Sequence, residues 1–512
     1  MSRVVEVGSE GLRAEEVLAV ARHGARVVIA PAAREAMRAS RDLVEAAARS
    51  SAPVYGVSTG FGALAGTSIP PERRSELQHA LIRSHAAGMG PALDVEIVRA
   101  MLLLRLRTLA RGFSGVRPEV ADAVSAFLNA GVTPVVPAHG SLGASGDLAP
   151  LAHAALCLLG EGEATGPAGA RLRGQEAPAA AGVRPLRLET KEGLALVNGT
   201  DGMLGLLVLA CADARLLFQT ADVAAALSVE ALLGTDRVFA AEIQQLRPHP
   251  GQAASASNLT RLLAGSPIVA SHRESQHAVQ DSYSMRCAPQ VVGAARDTLA
   301  FAEEVAAREL ASAIDNPSVL ADGRIESNGN FHGAPLGFAC DFLAIASAEV
   351  GSIAERRVDR LLDPHRNAGL PAFLAEEPGV NSGLMIAQYT AAALVAENRL
   401  LAQPASVDSI PTSGMQEDHV SMGWGAATKL RGLLGNLSRI LAVELVCAAR
   451  ALDLRSPLAP APATAAVRDL LRTRVAGPGP DRPPSAELEA AAELVRSGAV
   501  VEAAASVIGT VG

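Results

Sequence analysis

Residues 140–150, with the sequence GSLGASGDLAP, place small residues, a hydroxyl and a carboxylate just before an apolar stretch. Asp147 is positioned to cap a helix that follows, with Pro150 in its first turn and Gly160 at its end. The positive end of that helix would face Ala144-Ser145-Gly146 and stabilise negative charge developing there. The segment is therefore a candidate reactive site.

Three interpretations of this segment are open. The first is a glycine turn before a helix, the usual meaning of such a sequence. The second is a serine nucleophile, but a nucleophile elbow has glycine two residues either side of the serine, and Asp147 occupies one of those places. In the third, the Gly146 amide nitrogen attacks the Ala144 carbonyl, and loss of two waters leaves a ring whose exocyclic methylidene comes from Ser145. Alanine and glycine leave room for such a compressed backbone.

Six other polar segments, four of which contain glycine, interrupt an otherwise apolar chain. Buried polar groups need partners, so these segments are costly unless they converge. Two of the three tyrosines in the chain, Tyr55 and Tyr283, lie in them. The segments are YGVSTGFG (55–62), SHAAG (84–88), NGTDG (198–202), QDSYSMR (280–286), GNFH (329–332) and MQEDHVSM (415–422).

Individual side chains in these segments suggest further chemistry. Arg286 is suited to bind a carboxylate through two parallel hydrogen bonds, although a surface ion pair is the simpler alternative. Glu417 can accept a hydrogen bond from an imidazole N–H. Glu417 and His419 do not follow the His-Glu-x-x-His pattern and no third ligand cluster follows, so we expect no metal site.

The elements that must position these groups are mostly helices. Hydrophobic residues make up 49% of the chain but aromatic residues only 3%, and Ala and Leu favour helices. We expect a mainly α fold, an elongated bundle of long helices (201–512) preceded by a smaller mixed part (1–200). Helical periodicity occurs at 93–111, 202–232, 291–313, 335–361, 382–403 and 427–453; strand-like stretches occur at 26–30 and 184–188, with a turn at 322–323.

Composition argues against several classes of protein. The net charge of −8 and the lack of a basic cluster speak against nucleic-acid binding. We find no signal segment and no apolar stretch long enough to cross a membrane. The five cysteines are odd in number and far apart, which favours unlinked thiols and a reducing cytoplasm.

The segment GSLGASGDLAPLAHAALCLLGEG (140–162) resembles the one from which aromatic amino acid lyases form a 4-methylidene-imidazol-5-one ring (MIO). The other six segments occur along the chain in the family's order, and the resemblance extends over about residues 10–505. Within the family, the chain most resembles the branch that acts on histidine. It implies elimination of ammonia from L-histidine to give trans-urocanate, the first step of histidine degradation. It further implies a homotetramer with shared active sites and an architecture like that of the ammonia-lyases and fumarases.

The resemblance also implies roles for single residues. MIO would form from Ala144, Ser145 and Gly146, with no metal or nucleotide. Tyr55 would remove the substrate's β-proton from a mobile glycine-rich loop, which requires its pKa to fall well below the reference of about 10. Tyr283 would be a second catalytic tyrosine, and Arg286 would bind the substrate carboxylate. The amides that hold the ring's carbonyl oxygen and the substrate would be Asn198 and Gln280, and Phe331 would form a pocket wall.

Two positions bear on the substrate. Ser84-His85 stands where phenylalanine lyases carry Phe-Leu and tyrosine lyases carry His-Leu, and it resembles the histidine branch. Glu417 also resembles that branch. A pocket that hydrogen-bonds an imidazole disfavours phenylalanine strongly, because the polar groups would be left unpaired.

Three alternatives remain. A tyrosine or phenylalanine ammonia-lyase or aminomutase would use the same ring, but His85 and Glu417 speak against it. A fumarase–aspartase type enzyme would carry a Gly-Ser-Ser-x-Met-Pro-x-Lys-x-Asn loop, which the sequence lacks. An inactive helical scaffold would not require this set of polar residues.

Overall fold

The computed structural model describes residues 4–50, 53–275 and 279–512. The mainly α fold is confirmed, with twenty α-helices and nine short strands in these residues. The helices are α1 (Ala14–His23), α2 (Pro31–Arg49), α3 (Arg74–His85), α4 (Val95–Ala110), α5 (Pro118–Asn129), α6 (Leu148–Leu158), α7 (Glu176–Ala180), α8 (Glu192–Val197), α9 (Asp201–Ala231), α10 (Ala241–Gln245), α11 (Pro250–Leu262), α12 (Pro267–Ser271), α13 (Tyr283–Arg286), α14 (Ala288–Leu310), α15 (Ala334–Leu362), α16 (Met385–Leu401), α17 (Gly423–Leu454), α18 (Pro462–Arg472), α19 (Ser485–Arg496) and α20 (Ala499–Ile508).

The strands form small, separate sheets. Parallel β1–β2 has Val5 opposite Val27; the pairs β3–β5, β4–β6, β6–β7 and β8–β9 are antiparallel. The strands are β1 (Val4–Val7), β2 (Arg26–Ile29), β3 (Met89–Ala92), β4 (Thr133–Pro134), β5 (Pro137–His139), β6 (Glu163–Thr165), β7 (Arg171–Arg173), β8 (Ser318–Val319) and β9 (Ile325–Glu326).

The local predictions are largely confirmed. The six periodic stretches form α4, α9, α14, α15, α16 and α17, residues 26–29 form β2, and residues 322–323 lie in the turn between β8 and β9. The predicted strand at 184–188 is wrong. Those residues are irregular backbone, in which Leu186 N–H donates to the carbonyl of Leu158 at 2.8 Å. Pro185 lacks the N–H that a strand ladder needs.

The chain divides into two compact units, each discontinuous in sequence. Unit 1 comprises Met1–Leu209, Glu303–Cys340 and Pro404–Thr428; unit 2 comprises Ala210–Ala302, Asp341–Gln403 and Lys429–Gly512. The nine strands all belong to unit 1. Unit 1 therefore carries the mixed structure, while the division into domains 1–200 and 201–512 stays a prediction.

The centre of unit 1 is α4, in which every residue from 97 to 110 is buried. Arginines in such a helix need hydrogen-bond acceptors, because a buried charge without partners is strongly unfavourable. Arg105 donates to the carbonyls of Ala195 and Asn198 at 2.8 and 3.1 Å and pairs with Asp201 at 2.6 Å. Arg105 thus holds the end of α8 and the beginning of α9 against α4.

Two helices, α15 and α17, are long and strongly apolar. Windows of 18 residues in α15 and α17 have a mean hydropathy of 1.5, so by length and composition alone they could cross a membrane. The expectation that no stretch is long enough is therefore wrong. Of these windows, 61% and 78% respectively is buried within the protein. Burial of this kind is typical of core helices.

Candidate active site

Ala144-Ser145-Gly146 forms a tight turn in unit 1 between β5 and α6. The backbone bridges from Gly143 to Gly146 across the turn, and φ is +52° at Ser145 and +82° at Gly146. The left-handed region costs a residue with a side chain about 1–2 kcal/mol. Surrounding contacts must therefore hold Ser145 in a conformation that it would not adopt alone.

One of these contacts is with Gly199. A Cβ added to Gly146 would lie 2.1 Å from the carbonyl oxygen of Gly199. The N–H of Asp147 donates to the same oxygen at 2.7 Å. Position 146 therefore requires glycine for two reasons, its positive φ and its approach to the backbone beside Asn198.

The prediction that the Asp147 side chain caps α6 is wrong. Asp147 does precede α6, but its side chain makes no capping bond there. Its carboxylate instead accepts the N–H of Met203, in the first turn of α9, at 2.9 Å, and the Ser141 hydroxyl at 3.1 Å. Burial raises the pKa of this carboxyl to about 7. Asp147 thereby ties the beginning of α9 to the reactive turn.

The amino ends of four helices meet at this turn, where the sequence predicts only that of α6. Gly333 and Gly423 lie at the beginnings of α15 and α17 and pack on the Met203 side chain of α9. A Cβ added to either glycine would lie within 2.6 Å of that side chain. Met422 N–H donates to the carbonyl of Leu142 at 2.9 Å. The positive ends of α6, α9, α15 and α17 therefore favour negative charge at the turn.

Asn198 lies at the end of α8 with its side chain buried. Its Nδ2 donates to the carbonyl of Asn316 at 2.7 Å. Its Oδ1 is buried and has no hydrogen-bond partner among the described residues. Since an unsatisfied buried oxygen is costly, this atom is suited to accept a hydrogen bond from a ligand or from a modified backbone.

Tyr55 is half-buried in the loop that precedes a short 3-10 helix at Gly62–Leu64. Its hydroxyl accepts the N–H of Gly62 at 3.3 Å, and Gly56, with φ of +68°, packs on Leu194 of α8. Burial raises the pKa of Tyr55; the Gly62 N–H opposes the rise and the charge of Glu417 adds to it. The groups of one chain therefore act against the lowered pKa that a tyrosine base needs.

Glu417 lies close to both Tyr55 and His85. Its Oε1 lies 3.6 Å from the position that a Cβ added to Gly62 would occupy. Burial lowers the pKa of the half-buried His85, while the Leu81 carbonyl and the Glu417 charge oppose that change. Within the described chain, Glu417 Oε2 is buried without a hydrogen-bond partner. An imidazole and an unsatisfied carboxylate thus lie in one region.

Phe331 is half-buried in the turn that precedes α15. The next residue, His332, stacks on His419 with ring centroids 5.4 Å apart, and its Nε2 is 3.3 Å from His419 Nδ1. This contact joins segment 329–332 to segment 415–422. In the parts of the chain described, no group of three or more His, Cys, Asp or Glu side chains could hold a metal ion.

The other three predicted site residues, Gln280, Tyr283 and Arg286, belong to unit 2 and form a local cluster. Gln280 and Tyr283 are exposed, and the Arg286 guanidinium lies 4.6 Å from the centre of the Tyr283 ring. Arg286 therefore has a cation–π contact that holds it beside Tyr283.

Sequence reasoning missed the buried charges behind Asn198. Lys191 and Asp315 form a fully buried ion pair at 2.7 Å, next to Asn316, the partner of Asn198. Arg105 holds the carbonyl of Asn198. The available signal was an arginine inside the apolar stretch 93–111, since a charge in a core helix must have a specific partner.

Comparison with known proteins agrees with these features. The aromatic amino acid lyase family matches residues 12–473. The chain is 60% identical over 508 residues to the histidine ammonia-lyase of Streptomyces griseus, covering 99% of each. The tyrosine aminomutase of Streptomyces globisporus has a TM-score of 0.92 at 39% identity, covering 98% of each chain. Histidine ammonia-lyase from Trypanosoma cruzi has a TM-score of 0.90 at 39% identity, covering 98% of this chain and 95% of the other.

The helical fold is thus shared with enzymes that act on amino acids. The chain belongs to the aromatic amino acid lyase family.

Proposed function

We propose that this enzyme eliminates ammonia from L-histidine to give trans-urocanate, the first step of histidine degradation, using MIO formed from Ala144-Ser145-Gly146. The observation that carries the proposal is the turn itself, with positive φ at Ser145 and Gly146 and the close approach to Gly199. Curated relatives that are 60% and 59% identical to this chain are histidine ammonia-lyases, which supports the substrate.

The residues present fit the MIO group. The turn already holds Ser145 and Gly146 at positive φ, and Asn198 Oδ1 has no partner among the described residues. Four helix amino ends favour negative charge there. When formed, the ring supplies an electrophilic methylidene carbon that binds the substrate's amine. The proposed reaction therefore needs no metal or nucleotide.

The far end of the substrate would be recognised by His85 and Glu417. Glu417 Oε2, unpartnered among the described residues, can accept the imidazole N–H of histidine. Burial lowers the pKa of His85, so its ring is neutral at neutral pH and offers one donor and one acceptor. Phe331 would form an apolar wall of the pocket.

Tyr55 would remove the β-proton as the C–N bond breaks and ammonia departs. Its pKa is raised by burial and by Glu417, so a base role requires positive charge from outside these groups. We propose that it comes with a second copy of the chain in a homotetramer with shared sites. The exposed Gln280 and Tyr283 and the half-buried Arg286 would serve another copy, with Arg286 binding the substrate carboxylate through two hydrogen bonds.

We also propose a cytoplasmic location and a small-molecule substrate, with neither nucleic acid nor membrane as partner. A net charge of −8 disfavours binding to nucleic acid. The five cysteines form no disulfide in the described residues, which suits a reducing compartment.

The test is an ultraviolet assay for urocanate, with purified enzyme, L-histidine and a chelator, beside the Ser145→Ala variant. We expect urocanate from the wild type and a loss of at least about a thousandfold in kcat for the variant, because it has no hydroxyl to lose and cannot make the electrophile. Equal rates in the two proteins would rule out the ring. Absence of urocanate from the wild type would rule out the substrate.

A second candidate is a tyrosine or phenylalanine ammonia-lyase or aminomutase that uses the same ring. The similarity to a tyrosine aminomutase at 39% identity and a TM-score of 0.92 favours considering it. Incubation with L-tyrosine and L-phenylalanine, with analysis for both the unsaturated acid and the β-amino acid, decides between the two. Turnover of either in preference to L-histidine would replace the first proposal.

A further inference from the structure

The helix that carries Tyr283 and Arg286 has only four residues, α13 (Tyr283–Arg286). So short a helix has little stability of its own. The Tyr283 side chain is 71% exposed, so burial of that side chain does not hold the helix in place. Met285 is the buried side chain of this helix, and contacts made by the helix backbone add to its packing.

One anchor lies just before α13. The Asp281 carboxylate accepts the N–H of Thr235 at 2.8 Å, and the Asp281 carbonyl accepts Arg286 Nε at 2.9 Å. These two bonds fix the beginning of the helix and the stem of the Arg286 side chain. They leave the middle of α13 to be held by something else.

The second anchor is a buried ion pair. Arg357 Nη1 donates to the carbonyl of Ser284, in the middle of α13, at 3.1 Å. Its Nε and Nη2 donate to the two oxygens of Glu444 at 2.5 and 2.8 Å. Ser228 Oγ donates to Glu444 Oε1 at 2.7 Å. The side chains of Arg357 and Glu444 are completely buried.

Packing alone does not explain this pair. Apolar residues of similar volume often replace a buried ion pair without loss of stability, but they could not donate to the Ser284 carbonyl. A planar guanidinium can donate two hydrogen bonds to Glu444 and a third, from its remaining nitrogen, to Ser284. The single ammonium nitrogen of a lysine cannot reproduce this arrangement. The geometry therefore directs one donor of Arg357 at the backbone between Tyr283 and Met285.

We propose that Arg357, oriented by Glu444, is the positioning residue that sets Arg286 for binding the substrate carboxylate. The inference rests on the proposed function, in which Arg286 contacts that carboxylate. Arg357 hydrogen-bonds to the backbone of α13 at Ser284 and acts through Arg286.

A double-mutant cycle tests the inference with Arg357→Lys, Arg286→Ala and the double variant, each assayed with L-histidine. We expect Arg357→Lys to raise KM about tenfold with kcat changed less than about threefold, as loss of uniform substrate binding predicts. In the Arg286→Ala background the same substitution should have almost no effect on KM, because the residue through which it acts is gone.

The matched control is Arg296→Lys, which alters another largely buried ion pair of unit 2, with Asp222 at 2.7 Å. It should lower the melting temperature about as much as Arg357→Lys while leaving KM unchanged. If Arg357→Lys does not fold, Glu444→Gln replaces it in the cycle, since it loosens Arg357 without removing it.

An equal rise in KM with and without Arg286, or kinetics like those of Arg296→Lys, would overturn the inference. In either case the wild type still makes urocanate, so the proposed function stands. If the wild type makes no urocanate, both the proposed function and this inference are contradicted.

Discussion

At the scale of single residues, two side-chain oxygens of the site can accept hydrogen bonds that the described chain does not supply. Glu417 Oε2 and Asn198 Oδ1 are buried acceptors without partners among the described residues. A buried acceptor of this kind costs free energy in the protein alone and recovers it when a donor arrives. Both atoms are therefore positioned to bind rather than to stabilise.

Replacing Glu417 by glutamine should lower kcat/KM for L-histidine by about 10–100-fold, because a charge-assisted hydrogen bond to the imidazole becomes a neutral one. Steady-state urocanate formation measures the change. Asp418→Asn, at the exposed neighbouring position, is the control and should behave as wild type. Equal activity in Glu417→Gln would remove Glu417 from substrate recognition.

Asp147 gives a prediction about stability and pH. Its pKa is raised from 3.8 to about 7 in the folded protein, so the folded state binds the proton more tightly than the unfolded chain does. The contribution of this group to stability is therefore fully present below about pH 4 and is lost as pH rises through about 7.

The Asp147→Asn variant has no such titration. The difference in melting temperature between the variant and the wild type should therefore shift in favour of the variant from pH 4.5 to pH 8. The shift should correspond to at most about 4 kcal/mol of relative stability. Thermal unfolding across this range is the measurement, with exposed Asp418→Asn as the control. A constant difference between variant and wild type at all pH values would contradict the assignment.

At the scale of elements, the site depends on how closely the reactive turn meets the segment before α17. Gly143 has φ of +81°, and a Cβ there would lie 2.0 Å from Ser421 Oγ. The contact continues through Met422 N–H, which donates to the carbonyl of Leu142. The two segments are thus joined by a backbone hydrogen bond, and a side chain at position 143 would meet the Ser421 hydroxyl.

Gly143→Ala should therefore destabilise the protein by about 2–5 kcal/mol, combining a left-handed alanine with overpacking. Gly169→Ala is the matched control, since φ there is +80° with open space around it, and it should cost only about 1–2 kcal/mol. Chemical unfolding measures both.

Adding Ser421→Ala to Gly143→Ala removes the oxygen that clashes and should recover part of the loss. If the two glycine variants were equally stable, close packing at the turn would not be the cause.

At the scale of the whole molecule, the proposed catalytic groups are divided between the two units. Tyr55, the Ala-Ser-Gly turn and Glu417 belong to unit 1, whereas Tyr283 and Arg286 belong to unit 2 and are accessible at its surface. A site assembled from several copies of the chain would use both sets.

Mixing tests that assembly. Tyr55→Phe and Tyr283→Phe should each be nearly inactive alone, since each lacks one proposed catalytic hydroxyl. Co-expressed, they should regain a fraction of wild-type activity, because some sites then combine the intact Tyr55 of one chain with the intact Tyr283 of another. Urocanate formation by the purified mixed oligomer measures this. No recovery in mixed oligomers shown by mass to contain both chains would contradict shared sites.

The sequence by itself determined the six long helices, because an apolar period of three to four residues is a local property that neighbours in the chain share. It also identified Ala144-Ser145-Gly146 as a reactive candidate, through its resemblance to the segment from which aromatic amino acid lyases form MIO. The predicted strand at 184–188 failed because Pro185 cannot donate to a strand ladder and so short a stretch has a weak local preference.

Only the tertiary structure decided which groups meet. Asp147 caps α9 rather than α6, because its carboxylate meets the N–H of Met203, 56 positions along the chain. Arg357 holds the carbonyl of Ser284 across 73 positions. No local pattern encodes such pairs. A buried charge must find a partner, but the packing of the complete chain determines which backbone group lies within its reach.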